Sequence, residues 1–411
     1  MNAERMLQRF LRYVAIDTQA DDAASGYPSS PGQRELGQLL VAELRAMGLE
    51  QVVQDEHGLV WATLPATIDR SAPVIAWNAH LDTSPEASGA QVKPQVIRNY
   101  PGGDIPLPGD SRQVIRVADN AELANLVGCT LVTTDGTTLL GADDKAGVAV
   151  IMGATAYLAA HPKVAHGPIK ILFTCDEEIG RGVAHVDVHQ LGATACYTLD
   201  GHGSGEIDIE TFSADLATVR VQGVNIHPSI AKGRMVNAIR GAAAFIEGLP
   251  QEAMSPEMTA GREGFLHPYQ LHGGVAEVVI KILLRDFDSA KLAEQAESLR
   301  NLARSVEAEL PGVHVAVEVT PQYRNMAEGL VREPRAVGYA QQAFERRGRT
   351  AKLTVVRGGT DGAQFTAQGL PTPNLSTGEH NPHSPLEWAC LEEMVLAAEV
   401  LVELAQVWAE K

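Results

Sequence analysis

Hydrophobic and polar positions along the chain alternate between two periods. Short runs rich in β-branched and aromatic residues, such as Pro73 to His80 and Ile169 to Cys175, read as buried strands. Further strands are expected around 52–54 and 59–64, and from Ala195 to Leu199. Between them lie stretches with helical spacing: an opening helix, a helix from about Gln33 to Met47 that Gly48 is placed to stop, and an apolar helix of small residues ending near Ala160. The Pro- and Gly-rich segment 84–128 reads as an ordered excursion from the sheet. Strands alternating with helices predict an α/β fold, a mainly parallel sheet with helices on both faces.

From about Ser213 the pattern changes. A strand at 216–221, a helix at 233–247, strands at 264–272 and 275–286, a helix at 288–309 and a strand at 313–319 follow in the order βαββαβ. That order is the ferredoxin-like α+β arrangement. After about Gln322 the first pattern resumes and ends in a helix over 388–409. The expected organisation is a discontinuous main domain, 1–212 with 322–411, and a compact inserted domain, 213–321.

Composition narrows the function. The 411 residues carry a formal net charge of −18 with no basic run, which argues against nucleic-acid and anionic-membrane partners. Charges scattered through the first helix do not match a signal peptide, and no window is apolar enough to span a bilayer. Cys129, Cys175, Cys196 and Cys390 form no CxxC pair, so neither a disulfide framework nor a thiolate zinc site is expected. The simplest expectation is a reduced, cytoplasmic protein.

Candidate chemistry sits at the strand ends. His80-x-Asp82, Asp143-Asp144, Asp176-Glu177-Glu178 and Asp200 each follow an apolar run, and His383 stands near the end of the chain. Ligands of open α/β sheets gather beyond the carboxyl ends of strands. Adjacent carboxylates there repel one another unless a cation compensates them. Imidazole and carboxylate without thiolate suit a hydrolytic metal centre. Two divalent ions would balance three carboxylates and one bridging hydroxide.

His80-Leu-Asp-Thr-Ser-Pro, Thr133-Thr-Asp-Gly, Leu140-Gly-Ala-Asp-Asp-Lys-Ala-Gly, Asp176-Glu-Glu-Ile-Gly, Thr198-Leu-Asp-Gly, Lys232-Gly-Arg-Met-Val-Asn-Ala and Arg357-Gly-Gly-Thr-Asp-Gly-Ala occur in that order. This ordered set resembles the peptidase T family of tripeptide aminopeptidases, di-zinc enzymes related to glutamate carboxypeptidases and aminoacylases. The resemblance implies two Zn2+ per subunit, held by His80, Asp143, Glu178, Asp200 and His383, with Asp143 bridging. Asp82 would accept the second ring N–H of His80. Glu177 would be the general base for a metal-bound hydroxide nucleophile. His227, Asn237, Arg285, Arg357 and Thr360 would contact the peptide, Arg285 through its C-terminal carboxylate. Relatives often pair through the inserted domain, so a homodimer is a further expectation.

Alternatives stay open on the residues alone: a carboxypeptidase or aminoacylase on the same scaffold, or a peptide-binding protein without turnover. His380 competes with His383, Asn237 and Thr360 have structural readings, and Arg285 could pair with Asp286 or Asp288. The chain departs from the family pattern at Pro382, Pro385, Arg262, His202 and Ser204.

Overall fold

Every residue of Ile75–His80 is buried, as a strand flanked on both sides and covered on both faces requires. The computed structural model describes residues 1–410 and places this strand in a large sheet. The sheet's parallel centre runs, in spatial order, Ile169–Thr174, Ile75–His80, Ala195–His202 and Asn374–His380. Antiparallel strands extend it at both edges: Val60–Leu64 and Glu50–Gln54 on one side, Trp388–Cys390, Leu131–Thr133 and Gln95–Ile97 on the other. The central strands point the same way, so their acidic and histidine ends collect along one edge.

Side-chain alternation covers both faces. Trp77, Ile171 and Tyr197 lie abreast and pack with Phe10, Val150 and Leu401 of the helices Ala3–Val14, Ala142–Ala160 and Leu391–Glu410. Their neighbours Ala76, Leu172 and Cys196 face the opposite layer, against Val183, Leu191 and Phe365. The helix Ala142–Ala160 approaches the sheet closely because position 147 lacks a side chain. A Cβ there would fall 1.8 Å from the Leu199 carbonyl oxygen and 2.2 Å from Asp144 Oδ1. Asp143 and Asp144, at the head of this helix, keep non-helical backbone angles, and the peptide bond between them is cis.

The excursion 84–128 is ordered around its own small core of Tyr100, Ile105, Ile115, Leu123 and Trp388. One part of it, Gln95–Ile97, joins the edge of the main sheet.

These elements belong to one compact unit, Met1–Ile209, Met326–Val355 and Thr360 onward; Glu210–Asn325 and Val356–Gly359 form a second. The second unit holds a four-stranded antiparallel sheet in the order Phe265–Gly273, Glu277–Asp286, Ser213–Gln222, His314–Tyr323. Helices Ala238–Glu247 and Ser289–Glu309 close its core through Phe245 and Leu299, against Val219 and Ile280. The first of these helices starts later than its spacing suggests because Asn237 caps it, accepting the Ile239 N–H at 2.9 Å. Among the described residues no helix is long and apolar enough to cross a membrane.

Candidate metal centre

The chain leaves Ile75–His80 through Leu81 into Asp82, whose carboxylate turns to the neighbouring strand end. Asp82 Oδ1 accepts the backbone N–H of Glu177 and Oδ2 that of Glu178, both at 3.0 Å. Asp176 takes φ +61°, a conformation that Asp tolerates better than most residues. Its buried carboxylate is held by the Ser29 N–H and hydroxyl, the Gln33 amide and the Arg181 guanidinium. The three consecutive acids therefore divide their work. Asp176 is consumed in holding the turn, and Glu177 and Glu178 are left to face the strand ends.

His80 Nε2 lies 2.9 Å from Asp143 Oδ1 and 3.5 Å from Asp200 Oδ1. His383 Nε2 lies 3.2 Å from Asp143 Oδ2 and 2.9 Å from Glu178 Oε2. The donor atoms thus make two triads, His80–Asp143–Asp200 and Asp143–Glu178–His383, which share Asp143. Two ligands at about 2.0–2.1 Å from one tetrahedral zinc stand about 3.4 Å from each other. The four observed separations bracket that value. Glu178 Oε1 is buried with no hydrogen-bond partner among the described residues, and Asp143 Oδ1 is met only by the His80 ring nitrogen. Carboxylate oxygens left this way call for a cation.

The electrostatics agree. Burial, then the negative charge of Asp143, pushes Glu178 up to about 8. Glu177 is raised well above the carboxylate range by burial, with Asp200, Asp361 and Glu178 adding to it. Burial opposes a charged ring at His80 and His383, yet the carboxylates overcome it at both, lifting His383 to about 12. Asp143 goes the other way: its burial is outweighed by His383 and His80, and it is held well below the usual range. So many acids cannot all ionise together without added positive charge. The donor set fits a pair of divalent cations.

A profile described as Peptidase family M20/M25/M40 matches residues 133–407. The chain is 43% identical over 408 residues to a protein named peptidase T from Geobacillus thermodenitrificans, with 99% of each chain covered. The chain belongs to the M20/M25/M40 peptidase family. A peptidase T from Listeria monocytogenes is 42% identical over 408 residues, again with 99% of each covered. Among solved structures, the aminopeptidase PepT of Bacillus cereus is similar with a TM-score of 0.76 and 26% identity, covering 100% of this chain and 99% of that one. A tripeptidase of Staphylococcus aureus shares the fold with a TM-score of 0.78 at 23% identity, each chain covered completely. This M20 chain is a peptidase.

Asp82 lies against the second ring nitrogen of His80 through two of its oxygens. The nearer partner of His80 Nδ1 is the Asp82 backbone carbonyl at 3.1 Å; the carboxylate Oδ1 is at 3.5 Å, occupied by the Glu177 N–H. His380 and His383 separate clearly. The His380 ring stacks on Trp388 at 3.7 Å and its Nε2 meets Glu393 at 2.8 Å, away from both triads.

The expected peptide contacts are placed as follows. Thr360, in the first unit, is buried at the head of the helix Asp361–Ala367, its hydroxyl without a hydrogen-bond partner among the described residues. The other four lie in the second unit. His227 Nδ1 meets the Ser229 hydroxyl at 2.7 Å. Asn237 is the helix cap already described. Arg285 Nη1 donates to the Asp215 and Leu284 carbonyls and to Gln322 Oε1, over the Tyr323 ring, and pairs with neither Asp286 nor Asp288. Arg357 donates to the Thr259, Gly261 and Glu263 carbonyls and to the Thr259 hydroxyl.

Three buried acids around the centre escaped sequence reading. Asp361 receives the Thr174 hydroxyl at 2.6 Å and is lifted to about 7 by burial. Glu379 is lifted to about 8 by burial and by Asp143, and faces His202 at 3.3 Å. Glu387 accepts three backbone N–H groups from residues 140–143. The available signal was an acid set among apolar neighbours, as in Leu386-Glu387-Trp388, where charge is costly without partners.

Proposed function

We propose that the chain is a di-zinc aminopeptidase that removes the N-terminal residue of tripeptides. The observation that carries this reading is the pair of ligand triads sharing Asp143, with Glu177 beside them and outside both. The names of the full-length relatives, peptidase T, support the substrate class.

When bound, a pair of divalent ions would polarise the scissile carbonyl and make the attacking water more acidic. His80, Asp143 and Asp200 would hold one ion; Asp143, Glu178 and His383 the other. Asp82 fixes the backbone of both glutamates at once, so the ligand Glu178 and the free carboxylate Glu177 keep a constant relation. Glu177 Oε2 lies 4.0 Å from His80 Nε2, close to the first triad. Its raised proton affinity suits a group that takes a proton from water and passes it to the departing amine. The second unit is assigned the recognition of the peptide. Arg285 there makes its hydrogen bonds through Nη1 alone, to neutral oxygens, whereas Arg357 spends both Nη1 and Nη2; among the described residues Arg285 thus keeps its Nη2 and its unpaired charge for a substrate carboxylate.

The test is hydrolysis of free, N-acetylated and C-amidated tripeptides by the zinc-loaded enzyme. Free tripeptides should be cleaved at the first bond, acetylation should abolish cleavage, and amidation should raise KM. Cleavage of acetylated substrate would replace this reading with an aminoacylase or carboxypeptidase.

A further inference from the structure

Glu387 is only 1% exposed and lies four residues beyond His383. Its Oε2 accepts the N–H groups of Leu140 at 2.7 Å and Gly141 at 2.8 Å, and its Oε1 accepts that of Asp143 at 3.0 Å. Gly141 sits at φ +80°, in the left-handed region, between Leu140 and the non-helical residues Asp143 and Asp144. Successive amides around such a turn form a concavity that binds anions. Here the chain supplies the anion from its own far end, 244 to 247 positions away.

The consequence concerns the two segments so joined. One carries Asp143, common to both triads; the other carries His383, which reaches Asp143 and Glu178. We propose that Glu387 is a positioning residue that fixes the Asp143 loop against the His383 segment before any metal arrives. This rests on the two-ion reading of the site. Only a carboxylate can do it. A glutamine could offer its carbonyl to Leu140 and Gly141, but its amide would then face the Asp143 N–H, donor against donor.

The test compares Glu387→Gln with the unchanged protein, both stripped of metal and titrated with Co2+ against a competing chelator while visible absorption is followed. The unchanged protein should take up two ions. The variant should bind 10- to 100-fold more weakly, the range for losing a group that orients metal ligands, and its bound cobalt should show an altered spectrum. Equal affinity with an identical spectrum overturns the proposal. A second measurement needs no variant: amide hydrogen exchange of the metal-free unchanged protein. Leu140, Gly141 and Asp143 should exchange slowly without metal. Exchange at the rate of an open loop until cobalt is added overturns the proposal while leaving the two-ion reading intact. Failure of the unchanged protein to bind cobalt removes that reading and the proposal with it.

Discussion

At the strand ends of the first unit, Glu178 keeps a buried oxygen without a partner among the described residues and Asp143 is met only by histidine rings; in the second unit, Arg357 is met by three backbone carbonyls and lies over the rings of Phe212 and Phe265. Both places were singled out as functional by the same sequence pattern. The difference separates two kinds of polar residue. A group whose hydrogen-bonding capacity is met inside its own unit has a structural use that is complete without a ligand. A group buried and left unmet points to something the chain itself does not provide.

The first way to break this comparison is Glu177→Gln. It should lower kcat by about 10²–10⁴-fold, the usual weight of a general base, and leave zinc content unchanged. Substantial residual turnover would take the role of base from Glu177, and loss of metal would place Glu177 with the ligands. Next in size is metal removal. Chelation should abolish turnover and lower the melting temperature, with both restored by zinc; ions at about 100 times their Kd contribute about 2.7 kcal/mol each. An unchanged melting temperature would mean that the unmet oxygens do not mark a cation site.

Arg357→Ala sharpens the other half. Its contacts predict a loss of about 1.5–3 kcal/mol in urea unfolding, the range for hydrogen bonds made by a charged group. A rise in KM with no change in stability would move Arg357 to the substrate side. The smallest effect belongs to Asn237→Ala, about 1 kcal/mol of stability from a lost helix cap. A large KM effect there would give Asn237 a second role.

Much of the fold was legible because its signals are local. Apolar runs of strand length, each ending in His or an acid, mark a parallel sheet with a site at one edge, and Ile75–His80 and Ile169–Thr174 are both found so. The change of pattern after Ser213 likewise marks the antiparallel sheet with two helices. Within the site, the segments that converge were readable, whereas the division among neighbouring residues was not. Spacing treats Asp176, Glu177 and Glu178 alike, yet four donor groups of Ser29, Gln33 and Arg181 hold Asp176 away from that task. It likewise could not show that the nearer partner of the His80 ring is a carbonyl rather than the Asp82 carboxylate.

By itself, then, the order of residues determined which strand ends carry charge and that the charge is too dense to stand alone. Tertiary structure decided which carboxylates are tied down, which face inward unmet, and that Glu387 reaches back to the loop bearing Asp143. The physical reason is range. Strand and helix patterns depend on neighbours a few positions apart, whereas the partner of a buried charge is fixed only when distant segments close around it.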